Sequence, residues 1–129
     1  MAGLILIPPT PEALAEKDQA LLPARLVTAP GGEYAAGRRL WQGIPTLTIT
    51  PKGRLLAAFY SGGEDEGPDN YVVLVQSDDQ GLNWSGPALA VDPPGKVRAF
   101  DPCLWTTPEG AVALFWAQSY GGFDGRCGC

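Results

Sequence analysis

The chain has 129 residues, a net charge of −5, 45% apolar and 18% charged residues, enough for one domain with a real core and too few for two of usual size. Its Lys and Arg residues are scattered, with only Arg38-Arg39 adjacent, so no basic stripe is available for phosphates and nucleic-acid binding is not expected. The absence of His removes Ser-His-Asp and Cys-His nucleophile systems and His-ligated zinc from this chain.

Near the start, Leu4 to Ile7 is apolar but too short for the core of an export signal, and no run approaches the roughly 20 apolar residues of a membrane span. The chain reads as soluble, with no membrane partner and no compartment assigned. Thr10-Pro11-Glu12 has the order of an N-cap, a first-turn proline and a first-turn acid, predicting a short N-terminal helix to about Leu22, stopped by Pro23. Residues 23 to 43 read as an irregular approach, broken by Pro30-Gly31-Gly32 and Gly37.

From Gly43 the pattern changes to short strands and turns, in keeping with 17 Gly and 13 Pro. Strands are predicted over 44–50, 54–60 and 71–76, with a shorter one over 86–91. The loop at 61–70 carries Glu64, Asp65, Glu66 and Asp69. Cys103, in a later apolar run, reads as a buried thiol. Cys127 and Cys129 make a weak metal signal by themselves, so neither a metal nor another cofactor is expected.

Between the third and fourth strands stands Ser77-Asp78-Asp79-Gln80-Gly81-Leu82-Asn83-Trp84, which fits S-x-D-x-G-x-x-W. Asp79 is suited to bond the backbone two residues on, Gly81 to take positive φ, Ser77 to tie the turn, and Trp84 to bury a large apolar body beneath it. A hairpin turn is predicted here.

The chain then repeats itself. Residues 45–53 and 102–110 both read P-x-L-x-x-T-P-x-G, at an offset of 102 − 45 = 57 residues, and Phe59 aligns with Trp116 at the same offset. Two further strands are predicted over 101–107 and 111–118. A fixed period of four-stranded units is the signature of a β-propeller, and the acidic loop accounts for a period longer than the usual 40 to 50. The fold class is therefore all-β, with antiparallel four-stranded blades. Residues 1–40 form a leading segment and 41–129 a partial propeller, with blade one at 43–92 and an incomplete blade two at 97–129.

The eight-residue motif resembles the Asp-box of the sialidase (BNR-repeat) family, and residues 41–122 look like the opening repeats of such a protein, about one and a half of its six blades. The resemblance implies a glycoside hydrolase that removes a terminal sugar, of the exo-α-sialidase type. In that family an R-I-P motif opens the first blade, and its Arg helps clamp the sialic-acid carboxylate. Here the tripeptide is Gly43-Ile44-Pro45, so Gly stands at the Arg position, and Arg39, four residues upstream, is the candidate substrate-binding residue that would substitute for it if the backbone reaches differently. The acid/base Asp of the family lies in the loop after the second strand, which makes Asp69 the first candidate and Glu66 the second. Arg98 and Asp101 fall where propeller loops enter the central pocket and are candidate substrate-binding residues.

The Tyr/Glu nucleophile pair of the family comes from later blades, and Tyr60, Tyr71 and Tyr120 sit in the wrong repeats to replace it. The chain by itself is thus expected to be inactive. The alternative is a non-catalytic Asp-box module that binds carbohydrate or protein, with Trp41, Tyr60, Trp105 and Trp116 available to stack on sugar rings. Self-association through open sheet edges is a third expectation.

Overall fold

The computed structural model describes residues 15–121. Thr10 to Leu14, where the helix is predicted to start, and the Cys127-Cys129 pair lie outside that span. Among the described residues seven strands carry the fold: β1 (Arg25–Val27), β2 (Gln42–Ile49), β3 (Leu55–Ser61), β4 (Tyr71–Ser77), β5 (Leu89–Asp92), β6 (Val97–Thr106) and β7 (Val112–Tyr120). They form two open antiparallel sheets, one in the order β1-β5-β4-β3-β2 and one of β6 with β7. The protein is all-β, and no described helix is long and apolar enough to cross a membrane.

Two corrections concern the leading segment. The described part of the predicted helix, Glu16–Leu21, is a 3-10 turn with no side-chain N-cap bond. It is held from outside, because Gln118 Nε2 donates to the carbonyls of Ala20 and Leu22 at 2.9 and 3.1 Å. The approach at 23–43 is not wholly irregular either. β1 pairs with β5, Arg25 opposite Asp92 and Val27 opposite Ala90, and adds a fifth strand to the first sheet.

The alternation of β3 divides the core. Leu56, Ala58 and Tyr60 point one way, joining Val72, Val91, Ala99 and Leu104, so this face meets the second sheet. Phe59 points the other way, toward Tyr34, Tyr71, Val73 and Ala90. Each fully buried Val in these clusters is worth roughly 1.5–3 kcal/mol of transfer free energy. The sheets also meet through hydrogen bonds: Thr48 Oγ1 lies 2.8 Å from Thr106 Oγ1, and Leu104 N donates to Thr46 Oγ1 at 3.2 Å.

The 57-residue repeat is reproduced bond for bond. Thr50 N donates to Arg54 O at 2.9 Å and Thr107 N to Ala111 O at 2.7 Å; Gly53 N donates to Thr50 O and Gly110 N to Thr107 O, both at 2.9 Å. The threonine hydroxyls accept in parallel from Arg54 N and Ala111 N, and Gly53 and Gly110 share φ of 88°.

The predicted turn at 77–84 forms, with different partners. Ser77 Oγ donates to Asp79 Oδ1 at 2.8 Å and accepts from Gly81 N at 2.9 Å. Asp79 bonds the backbone four residues on, not two, accepting from Asn83 N at 2.8 Å and Asn83 Nδ2 at 2.7 Å. These donors, Asn83 first, hold the Asp79 carboxyl below the usual carboxylate range. Gly81 does take positive φ, 86°. Trp84 is not buried: it lies beside Gly81 and stays 42% exposed. Cys103, expected to be buried, is exposed, because its side of β6 faces away from the first sheet.

Candidate functional site

β2 and β6 begin, and β3 and β5 end, at the same pole of the two sheets, where the acidic loop joins β3 to β4. Asn70 shapes this loop. Its side chain is buried, accepting from Gly67 N and donating to the carbonyls of Gly62 and Asp65, each at 3.0 Å. Gly62, at φ 107°, has no room for a Cβ, which would run into the Asp69 carbonyl. The loop therefore folds tightly and sends its carboxylates to different sides.

Glu66 turns toward the second sheet. Its Oε1 accepts a 2.5 Å bond from Tyr60 Oη, and its Oε2 lies 3.6 Å from Arg98 Nη1. Arg98 is only 3% exposed; its guanidinium sits 4.3 Å from the Phe100 ring centroid and 5.6 Å from that of Tyr60. Such a buried cation is tolerable only with a carboxylate and aromatic faces close by. Arg98 Nε has no partner among the described residues. Trp41 leans on Tyr60, with centroids 4.8 Å apart. Burial, then the Glu66 bond and the charges of Glu66 and Asp101, push the Tyr60 phenol far above its ordinary value. Tyr60 thus keeps its proton at rest and donates it in the hydrogen bond to Glu66.

Asp101 is exposed at this pole and has a left-handed backbone, φ 46°. Asp69 lies elsewhere. It lines a separate cleft of about 400 Å³ on the far side of the first sheet, with Arg25, Glu33, Tyr34, Tyr71 and Asp92. There Arg25 Nη2 and Tyr34 Oη both donate to Asp92 Oδ2, at 2.8 and 2.7 Å, and Tyr34 packs edge-on to Tyr71. Burial, supported by Asp92, pushes the Tyr34 phenol up to about 12. Arg39 is also on this side, 5.3 Å above Phe59.

Glu66, Arg98 and Asp101 therefore share one pole with Tyr60, whereas Asp69 and Arg39 belong to the opposite face. Phe59 and Tyr60 are consecutive in β3, so the two arginines that cover them cannot grip one carboxylate. Sequence reasoning assigned no role to Asn70 and ranked Asp69 ahead of Glu66. The signal for Glu66 was its reach from the loop to Arg98, which depends on how the chain returns in β6.

Gly43, at the position where the family resemblance expects Arg, packs directly beneath Trp41. A Cβ there would run into the indole ring. Among the described residues no three carboxylates or thiols are arranged to hold a metal ion. No protein-family model matches the chain, and no curated protein matches it.

Proposed function

We propose that the chain builds one blade and the opening strands of a second in a sialidase-like Asp-box β-propeller, and that the pole carrying Glu66, Arg98 and Asp101 faces a sugar. The observation that carries this reading is the repeat itself. Two sheets with matching turns at Thr50–Arg54 and Thr107–Ala111 stack face to face, as neighbouring blades do. The parent class is a glycoside hydrolase of the exo-α-sialidase type.

The chain alone performs recognition rather than hydrolysis. Glycoside cleavage by the sialidase route needs a tyrosine nucleophile that a sugar can reach, and Tyr60, 2% exposed beneath Trp41 and Phe100, is closed off from one. Gly43 favours the second reading, a non-catalytic module that binds carbohydrate or protein. With Trp41 filling the space over it, this position has no carboxylate-gripping arginine, so neutral or differently charged sugars fit better than sialic acid.

Two assays on the purified chain test the proposal. A fluorogenic sialoside is expected to release no fluorophore, and appreciable turnover would overturn the non-catalytic reading. On a glycan array, binding is expected to weaken in Glu66→Gln and Asp101→Ala. An array with no signal for the unsubstituted chain would remove the carbohydrate reading.

A further inference from the structure

The repeat makes the two apolar faces that the fold leaves open complementary to each other. The observed contact between the sheets pairs Thr46 with Leu104 and Thr48 with Thr106. Moving the first residue of each pair forward by 57, and the second back by 57, gives Cys103 with Leu47 and Trp105 with Ile49. All four are exposed: Trp105 is 53%, Leu47 60% and Ile49 57% exposed, and Cys103 is open beside them. Phe115, opposite Cys103 in β7, is the counterpart of buried Ala58 and is itself 57% exposed. On the far side of the first sheet, Leu47 and Ile49 sit beside Ala57 and Leu55 of β3. These correspond to Leu104, Thr106, Leu114 and Val112, the side of the second sheet turned toward the first. Along β2 and β6 each open strip is thus half of an interface that this sequence already builds internally, while Phe59, the counterpart of Trp116, lies under Arg39 of its own chain.

We propose that a second copy of this chain occupies these faces, its Leu47 and Ile49 stacking on Cys103, Trp105 and Phe115 so that the internal sheet-to-sheet packing continues from one copy to the next. Exposed clusters of large apolar side chains mark such contacts. The internal interface uses a threonine pair, whereas the external one pairs Trp105 with Ile49 and gains from burial on association. The contact is heterologous, using different surfaces of the two copies, so it either closes into a ring or extends. At two sheets per copy among the described residues, two to four copies stack four to eight sheets, the number over which propeller rings close. The inference rests on the repeat and not on the sugar reading.

The test uses the full chain carrying Cys127→Ser and Cys129→Ser, followed by light scattering over a concentration series. The expected result is a mass of two to four copies that saturates. Trp105→Glu and Ile49→Glu are each expected to give monomers with an unchanged circular dichroism spectrum, since both side chains are exposed. Mixing the two variants is expected to restore a dimer, because each retains one intact face. Leu47→Cys is expected to form a disulfide with Cys103 of another copy under mild oxidation, read as a covalent ladder. A monomer at every concentration, an oligomer insensitive to both substitutions, or an oligomer without the ladder would each overturn the proposal. Should either glutamate variant lose its spectrum, the ladder alone decides.

Discussion

Ile44 and Asp101, 57 residues apart, hold the same left-handed backbone, with φ of 43° and 46°, and each precedes a proline at a break in strand register. A β-branched residue rarely takes this conformation, and the strain costs roughly 1–3 kcal/mol. The matching breaks bend β2 and β6 alike and re-aim their first residues at the pole where Glu66 and Arg98 meet.

Ile44→Gly relieves that strain. The side chain is more than half exposed, so little burial is lost, while glycine gains unfolded-state entropy of about 0.5–1 kcal/mol. The expected net effect in denaturant unfolding is a stabilisation of up to about 1 kcal/mol. A clear destabilisation would show that Ile44 packs against something that offsets the strain.

Asn70→Ala removes a buried side chain that satisfies three backbone groups of the acidic loop. The expected loss is about 2–3 kcal/mol, since the orphaned groups stay desolvated. Glu66 should then part from Tyr60, so the near-ultraviolet tyrosine signal should shift in folded protein. An unchanged signal would mean that the loop is held by other contacts.

The Asp-box turn gives a pH signature. Ser77→Ala is expected to cost about 1–3 kcal/mol, because a buried hydroxyl with three local contacts is lost. The Asp79 carboxyl is held low by Asn83 and Ser77, and that of Asp78 by Arg54, whose Nε and Nη2 approach it at 2.6 and 3.0 Å. A folded-state value below the unfolded one gives stability that is present above the unfolded value and lost as the pH falls through the folded one. Unfolding midpoints measured from about pH 6 down to about pH 2 should therefore drop, and the drop should be shallower in Asp79→Asn.

Gly43→Arg tests why the first strand lacks its arginine. The new Cβ runs into Trp41, and overpacking of this kind costs about 1–3 kcal/mol. Adding Trp41→Ala opens the space, and the double variant should recover part of the stability lost by Gly43→Arg. If the two losses simply add, the two positions are not competing for one volume.

Local pattern alone located β2 to β7 to within a few residues, the turn at 77–84 and the 57-residue period. Alternation, turn glycines and threonines act over two to five residues, and all are present in the string of letters. The strand β1 was not legible, because its three residues gain strand character only by pairing with Leu89–Asp92, more than sixty positions later. The same holds for the site. The loop sequence offers four carboxylates alike in character, and only the return of β6 places Arg98 beside Glu66 and leaves Asp69 on the other face. Exposure of Cys103, Trp84 and Trp105 was decided at that level as well. Apolar side chains are written in the sequence, but whether a neighbouring sheet covers them is set by how the two sheets stack.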